Sequence, residues 1–337
     1  MEVYNLSEFR VDKITNRTGD TGPQIAGIST FSGTSGMAMP GGPTEYRGGR
    51  GRGVFGSGAT PTATNVLDMI EIATTGNSTD FGDDNVAREE GYAAFASPTR
   101  GCFAGGLVSP GVNTKDIAYV TISSQGGVSN FGDLNVAQSR NVGLSDSTRG
   151  ISAGGADPTN NIIEYVTIAS TGDGSDFGTL SIATYGSGAC ASPTRGLIAG
   201  GNPNTNVIGY ITIQTKGNTE TFGNLTDDPN HLAGCSNSIR GLFGGGQNPS
   251  NVNTIEYVTI ATLGNAINFG DLANATDYLG ACASATRGVF GGGQTPTKLD
   301  TIQYVTIATT GDTVDFGNLT QARRFCMGLS DVHGGLS

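Results

Sequence analysis

The 337-residue chain carries 29 acidic and 18 basic side chains, a net charge of −11. This acidity argues against a nucleic-acid partner, since phosphate binding needs a clustered basic surface. Charged residues make up only 14% of the chain and glycine contributes 55 residues, a composition typical of strands joined by tight turns. We expect neither membrane insertion nor a secretory signal, since the sequence has no long apolar run and no charged-then-apolar N-terminus.

The first 51 residues do not share the pattern of the rest of the chain. Short strand-like pieces broken by glycine, proline and asparagine come first, and residues 37–53 are rich in glycine and arginine. The sequence predicts an extended N-terminal arm followed by a hinge-like connector. Because such an arm cannot bury a core of its own, we expect another protein to order it.

From residue 52 onward, one pattern recurs six times. Each copy opens on an Arg-Gly pair and continues with a tyrosine (methionine in the first copy), a glycine and a Phe-Gly pair. The opening arginines are Arg52, Arg100, Arg149, Arg195, Arg240 and Arg287. The glycine always lies seven residues after the tyrosine position and the phenylalanine five further on, whereas the gap from arginine to tyrosine runs from 15 to 19 residues. Length changes are thus confined to one loop, which predicts a repeat architecture.

Each copy contains four short predicted strands, named b, c, d and a in chain order. Strand b ends in a glycine pair, and strand c, for example TIEYVTIAT from residue 254, has the alternation and β-branched content of a strand. A Gly-Asn or Gly-Asp pair then predicts a tight turn. Strand d holds the Phe-Gly pair, and strand a has small residues that allow close packing at an axis. The sequence predicts an all-β fold, a six-bladed β-propeller of four-stranded blades.

The two ends of the repeat region predict how the ring closes. Residues 323–330 match strand a with no further strands after them, while the first copy begins at strand b. The C-terminal strand would complete the first blade and leave no open edge. We therefore expect an N-terminal arm and connector over residues 1–51 and one propeller domain over residues 52–337.

The loops between strands b and c form the predicted recognition surface. In a four-stranded blade these loops share one face of the disc with the d–a loops, while the a–b and c–d turns share the other. Loops that vary on a rigid scaffold commonly carry recognition. Candidate residues for hydrogen bonds to sugar hydroxyls or to a polar protein surface are Thr60, Thr62, Asn65, Ser109, Asn113, Asn160, Asn202, Asn204, Gln247, Asn251, Gln294 and Thr297.

No residue pattern points to catalysis, a metal or a cofactor. His231 lies in an irregular loop and is expected to be exposed, and His333 falls at a repeat position and is expected to be structural. Asp80 is replaced by Asn130 in the next copy, which favours turn capping over calcium binding. We predict that the protein is not an enzyme and has no catalytic, cofactor-binding or metal-binding residues.

The repeated arginines and cysteines are interpreted as structural. An arginine in every blade should bind something that every blade has, such as a carbonyl group or the Asp or Asn before the Phe-Gly pair. Cys190, Cys235 and Cys282 each precede an arginine by five residues, at one position of strand a. We expect small buried side chains there rather than disulfides, in keeping with a reducing compartment.

The glycine pair after strand b and the tyrosine of strand c resemble the kelch repeat over residues 52–337. The resemblance implies the propeller architecture more than any ligand, because one fold hosts many functions. Kelch blades carry a tryptophan near strand d, and this chain has none. The phenylalanine of the Phe-Gly pair would have to fill that space.

The stretch VDKITNRTGDTGP, residues 11–23, resembles N-terminal segments of tail-fibre and other virion proteins of tailed, particularly marine, bacteriophages. The resemblance implies a non-enzymatic virion protein, assembled in the host cytoplasm, whose residues 1–51 dock on other virion proteins. Its propeller would contact a host cell-surface glycan or protein. Arms of this kind in fibres associate as trimers, so a homotrimer is a candidate assembly. The alternative is a kelch-like cellular module for protein interaction, and an enzyme ranks third.

Overall fold

The computed structural model describes residues 51–91, 93–108 and 111–336. These residues form 28 strands and one 3-10 turn, Gly334–Leu336, and the strands build six blades of four antiparallel strands each. The predicted six-bladed β-propeller is confirmed. No helix in these ranges is long and apolar enough to cross a membrane. The predicted arm and connector span residues 1–51, of which residues 1–50 lie outside the described residues.

The blades are numbered from the first Arg-Gly pair. Blade 1 contains β1 (Arg52–Gly56), β2 (Thr64–Glu71) and β3 (Thr79–Glu90). Blade 2 contains β4 (Ala93–Ala96), β5 (Arg100–Ala104), β8 (Asp116–Thr121) and β9 (Ser129–Asp133), with β6 (Leu107–Val108) and β7 (Val112–Asn113) in its b–c loop. Blade 3 contains β10 (Val142–Ser145), β11 (Arg149–Gly155), β12 (Asn160–Thr167) and β13 (Ser175–Thr179).

The remaining blades repeat this order of strands. Blade 4 contains β14 (Gly188–Ala191), β15 (Arg195–Ala199), β16 (Val207–Thr212) and β17 (Glu220–Asn224). Blade 5 contains β18 (Ala233–Ser236), β19 (Arg240–Gly244), β20 (Thr254–Thr259) and β21 (Ile267–Asp271). Blade 6 contains β22 (Gly280–Ala283), β23 (Arg287–Gly291), β26 (Thr301–Thr306) and β27 (Val314–Asn318), with β24 (Gln294–Thr295) and β25 (Thr297–Lys298) in its b–c loop. The last strand, β28 (Met327–Ser330), belongs to blade 1.

Blade 1 is closed by the C-terminal strand, as the sequence predicts. β28 pairs antiparallel with β1, with Leu329 opposite Val54. The carboxylate of Asp331 accepts a hydrogen bond from the backbone N–H of Arg52 at 2.9 Å. Asp146 makes the same bond to the N–H of Arg149 inside the continuous a–b turn of blade 3. The chain therefore rebuilds, from two distant segments, the turn that other blades form locally.

The hydrophobic core lies between neighbouring blades. Six clusters of buried side chains occur, and each joins the strands of two adjacent blades. Between blades 4 and 5, for example, Phe222 of the Phe-Gly pair and Ile208 pack with Phe243 and Ile260. The phenylalanine fills the space between two blades without a tryptophan, and the cysteines are free and buried as predicted.

The Gly-Asn and Gly-Asp pairs do not form the expected tight turn. In blade 5 the turn comes earlier, where the N–H of Thr262 donates to the carbonyl of Thr259 at 3.1 Å. The glycine of the pair instead bonds to the outer strand of the preceding blade. In blade 4, for example, the N–H of Gly217 donates to the carbonyl of Phe177 in blade 3 at 3.0 Å. The side chain of Asn218 accepts from the N–H of Thr179 at 2.9 Å. Each outer strand thereby has a hydrogen-bonding partner, which protects the sheet edge.

The six arginines link the blades into a ring. Each guanidinium donates to the carbonyl of an isoleucine at the end of strand c in the next blade, and Arg287 closes the circle on Ile72 of blade 1 at 2.9 Å. In blades 2 to 6 the guanidinium also lies 4.4–4.9 Å from the centre of its own blade's tyrosine ring. The structural interpretation of the arginines, with a carbonyl acceptor, is confirmed.

Candidate functional site

The two faces of the disc have the loop composition that the sequence predicts. The a–b and c–d turns lie on one face, here called the regular face, where all six arginines reach the next blade. The b–c and d–a loops lie on the other, here called the variable face. The backbones of these two kinds of loop are hydrogen-bonded to each other on the variable face. For example, the N–H of Gly201 in a b–c loop donates to the carbonyl of Pro229 in a d–a loop at 2.9 Å.

The described candidate recognition residues lie on the variable face, but most of them are not fully exposed. Among the described ones only Thr62, Asn204 and Thr297 are exposed, and Ser109 lies outside the described residues. The half-buried candidates are Thr60, Asn65, Asn113, Asn160, Asn202, Gln247, Asn251 and Gln294.

Several of the predicted recognition asparagines brace one loop against another. Asn251 donates to Asp277 at 3.0 Å and to the carbonyl of Gln294 at 2.8 Å, joining blades 5 and 6. Asn113 donates to the carbonyl of Ala156 in blade 3 at 3.2 Å. Asn204 accepts from Asn230 at 2.8 Å. A side chain that holds the scaffold in this way has fewer groups left for a ligand.

The b–c loop of blade 2 is anchored by a buried ion pair. Its β6 strand pairs with the end of β3, opposite Arg88 and Glu90. Arg88 is fully buried and bonds Asp84 at 2.8 Å and Asp116 at 2.7 Å. The segment 107–116 is therefore part of the framework at its end, because removing Asp116 would leave a buried charge without one of its partners.

A ring of six residues surrounds the axis on the variable face, each two positions before strand a of its blade. The members are Gly91, Arg140, Gly186, His231, Tyr278 and Phe325. From Gly91 to Phe325, each carbonyl accepts from the N–H of the next member, over five hydrogen bonds of 2.5–3.1 Å. We call this set the axial ring.

Four members of the axial ring hold a strained backbone conformation. Arg140, His231, Tyr278 and Phe325 have φ between 55° and 58°, in the left-handed region that side chains disfavour. Each such residue costs on the order of 1 kcal/mol and persists only where the surroundings enforce it. The hydrogen-bonded ring supplies that enforcement, and it directs the four side chains to the mouth of the central channel.

The side chains of the axial ring form an aromatic arc on one side of the mouth. The ring centres of His231 and Tyr278 are 4.2 Å apart, and those of Tyr278 and Phe325 are 4.1 Å apart. Opposite this arc, Arg140 stands between Gly91 and Gly186 in the ring order. The Arg140 guanidinium lies 5.9 Å from the centre of Phe325 and makes a bidentate pair with Glu90 at 2.6 and 2.7 Å.

His231 is half-buried at the axis, so the expectation of an exposed loop histidine is wrong. Its Nδ1 bonds the side-chain oxygen of Asn230, and a nitrogen facing that oxygen must carry the proton. Its Nε2 is buried and has no hydrogen-bond partner within the described part of the chain. Burial, reinforced by the charge of Arg140, lowers the pKa of His231 to about 3. The imidazole is therefore neutral at physiological pH, and Nε2 is a buried acceptor without a donor among the described residues.

Two further groups near the arc have shifted pKa values. Burial raises the pKa of the Asp277 carboxyl to about 6. Burial also raises the pKa of the Tyr278 hydroxyl, and the negative charge of Asp277 adds to this shift as a smaller cause. Arg324 lies over the arc, 5.1 Å from the centre of Phe325.

The mouth opens into a cavity of about 70 Å³, floored by the small residues of the inner strands. A second space of about 60 Å³ continues along the axis toward the regular face. There the C-terminal turn covers the channel, with His333 Nε2 3.0 Å from the carbonyl of Ala96 and 3.2 Å from the hydroxyl of Ser145. His333 is structural as predicted, although it lies across the axis rather than in an arginine position. Burial lowers the pKa of His333 to about 4.

The chemistry that this mouth offers is recognition by stacking and hydrogen bonding. Within the described ranges, no three His, Cys, Asp or Glu side chains converge as metal ligands would. Burial raises the pKa of the Cys102 and Cys235 thiols to about 12, so neither forms a thiolate at neutral pH.

Sequence reasoning missed the axial ring, although a signal was present. The ring position lies at a constant distance before strand a and holds Arg, His, Tyr or Phe in four of six copies. Because the position holds five different residue types in six copies, it does not look like part of the repeat.

Comparison with known proteins adds no family to this description. The chain matches no family model, and no curated protein matches it at a significant level.

Proposed function

We propose that the protein is a non-enzymatic recognition module of a tailed-phage virion, which presents the variable face of its propeller to a host-surface glycan or protein. The observation that carries the recognition role is the contrast between the faces. On the regular face, the repeated arginine and glycine of every blade contact the neighbouring blades. The variable face differs from blade to blade in loop length, in side chains and in the axial residue. Variation placed on a rigid ring is the arrangement that binding modules use.

The virion assignment has a separate support. The support for a virion role is the resemblance of residues 11–23 to segments of virion proteins. Under this proposal, residues 1–51 dock on other virion proteins. A kelch-like cellular interaction module would use the same variable face without such a docking segment. Mass spectrometry of purified virions separates the two, since we expect this chain in the particles and its absence would remove the virion role.

The recognition role is tested by two matched sets of substitutions in the full chain. The first set replaces Thr62, Thr159 and Thr297, which are exposed on the variable face, with alanine. The control set replaces Thr215, Thr262 and Thr309, which are exposed on the regular face, with alanine. Adsorption to host cells should fall at least several-fold in the first set only, with both sets melting like the parent protein. Equal adsorption by both sets would contradict the proposal.

A further inference from the structure

The axial mouth has unequal sides, and this asymmetry defines what it can hold. His231, Tyr278 and Phe325 form the aromatic arc. Gly91 leaves space on one side of Arg140, whereas the His231 ring fills the space at Gly186. A methyl group built on Gly91 would meet its nearest neighbours, Met327 Sδ and a carbon of Phe325, only at 3.8 Å. The mouth is thus open at Gly91, across the ring from His231.

The polar groups of the mouth favour a neutral ligand with hydroxyl groups. The buried Nε2 of His231 accepts hydrogen bonds only, and a buried acceptor without a donor is unfavourable. A hydroxyl group supplies that donor without a charge. Arg140 is already neutralised by Glu90 in a bidentate pair, so the pair offers planar donors and acceptors rather than net charge.

The apolar groups of the mouth favour a ligand with a flat C–H surface. Tyr278 is half-buried and presents part of its ring at the mouth. Pyranose sugars combine hydroxyl groups at the ring edge with an apolar C–H face, and amphipathic aromatic side chains suit both. The cavity of about 70 Å³ has room for a hydroxymethyl group or a few water molecules rather than for a whole ring. Such a site takes the end of a chain and not its middle.

We propose that the axial mouth binds one terminal, neutral sugar residue of a surface glycan. A hydroxyl group of the sugar donates to His231 Nε2, and its C–H face packs on the part of the aromatic arc that is uncovered at the mouth. The inference rests on the proposed recognition function and gives it a ligand class. The ring supplies one such pocket per propeller, while the exposed loop residues around it contact the rest of the glycan.

The test uses the full chain and a defined set of probes. The methyl glycosides of glucose, galactose, mannose and N-acetylglucosamine, with glucuronic acid as the anionic member, are screened by saturation-transfer NMR and titrated. At least one neutral glycoside should bind, with Kd in the millimolar range expected of a single small contact, and glucuronic acid should bind more weakly.

Two variants locate the binding in the axial mouth. His231→Phe keeps a ring in the arc and removes the acceptor, and it should weaken binding about tenfold. Gly91→Leu fills the mouth at a position where the backbone is not left-handed and no neighbour is closer than 3.8 Å, and it should abolish binding. Thr309→Leu adds similar bulk to an exposed turn on the regular face, outside the recognition surface, and should bind like the parent. Melting curves confirm that each variant folds.

The outcomes separate this inference from the proposed function. If no neutral glycoside binds, or if both axial variants bind like the parent, the cavity holds water only and the inference is wrong. If the threonine set on the variable face still loses host adsorption in that case, the recognition role stands without an axial sugar site. If neither the threonine set nor the axial variants change adsorption, the recognition role fails as well.

Discussion

The regular and variable faces are built from the same blades and differ in which atoms make their contacts. On the regular face, a repeated side chain bonds the next blade through a backbone carbonyl, as Arg195 does with Ile260 at 2.8 Å. On the variable face, five backbone hydrogen bonds join the members of the axial ring in order, so the ring does not depend on one repeated side chain. A backbone ring accepts Gly, Arg, His, Tyr or Phe at the same place.

This difference shows where the molecule can change. Arginine cannot vary without loss of an inter-blade bond, whereas a position held by its own N–H and C=O groups can carry a new side chain at the cost of backbone strain only. The variable face is not uniformly free, however. Asn113 and Asn251 brace the loops, and Asp116 pairs with buried Arg88. Replacement of the whole segment 107–116 would therefore disturb the framework together with the loop.

Removal of residues 321–337 should have the largest effect, because it breaks both faces at once. The deletion takes away β28, the buried side chains of Phe325 and Leu329, the Asp331 bonds to blade 1 and the turn that covers the regular end of the channel. Blade 1 would lose its inner strand and the ring would gain open edges. We expect aggregation or loss of cooperative melting, measured by light scattering and calorimetry. A monomer with the parent melting temperature would contradict closure by β28.

Gly178→Ala should have the next largest effect, because it acts where the regular contacts join two blades. A methyl group at Gly178 would come within 2.2 Å of the carbonyl oxygen of Gly217, and the backbone there has a φ of 157°. We expect a loss of about 3 kcal/mol in the free energy of unfolding, from strain and steric overlap together. The measurement is denaturant unfolding.

A matched control separates the two causes of that loss. Gly172 has nearly the same φ, 156°, but a methyl group there meets no atom within 4 Å. Gly172→Ala should therefore cost only about 1 kcal/mol, the backbone contribution. Equal losses in the two variants would mean that close approach between blades contributes nothing.

Arg195→Ala should lower stability by a smaller amount and leave binding intact. The variant loses the hydrogen bond to the carbonyl of Ile260 and the stacking on Tyr210 at 4.6 Å. We expect a loss of about 2 kcal/mol, measured by denaturant unfolding, with unchanged adsorption to host cells. If binding disappears while the fold keeps its stability, the faces have been assigned the wrong way round.

His333 should give the smallest effect, which depends on pH. Its folded pKa of about 4 lies below the unfolded value, so on acidification below 6.5 the unfolded state takes up a proton first. The protein should lose stability as the pH falls from 6.5 toward 4. His231 acts in the same direction, and Asp277, whose pKa is raised to about 6, acts in the opposite one. His333→Asn should therefore reduce the loss between pH 7 and pH 5.5 by about 1 kcal/mol, measured by unfolding at both values. An unchanged pH dependence would contradict burial of a neutral His333.

The sequence predicted those features that recur with fixed spacing. Six copies of four strand-like segments, with a lone strand a at the C-terminal end, were enough for blade number, strand order and closure. The assignment of the two faces followed from strand order, since alternate connections of an antiparallel blade must lie on opposite sides. The recurrence of arginine in every copy likewise indicated a structural partner, which the structure identifies as a carbonyl.

Other features depended on contacts between residues far apart in the chain. The acceptor of Arg195 lies 65 residues away, and the Gly-Asn pair that was expected to form a turn within its blade finds its partner 40 residues earlier, on the neighbouring strand. The loop asparagines looked like free recognition groups until the neighbouring loops were in place. A local sequence pattern indicates which backbone conformation a segment prefers. It does not identify which blade supplies the partner atom of a hydrogen bond.

The sequence by itself therefore determined the architecture, because the repeated alternation and glycine spacing act on each strand locally. Only the tertiary structure decided the site, because the axial ring brings together six residues from six blades that share a position and not a side-chain type. His231 shows the physical reason most directly. Its loop sequence predicts exposure, whereas ring closure places its imidazole against Tyr278 with Nε2 buried and unbonded within the described chain.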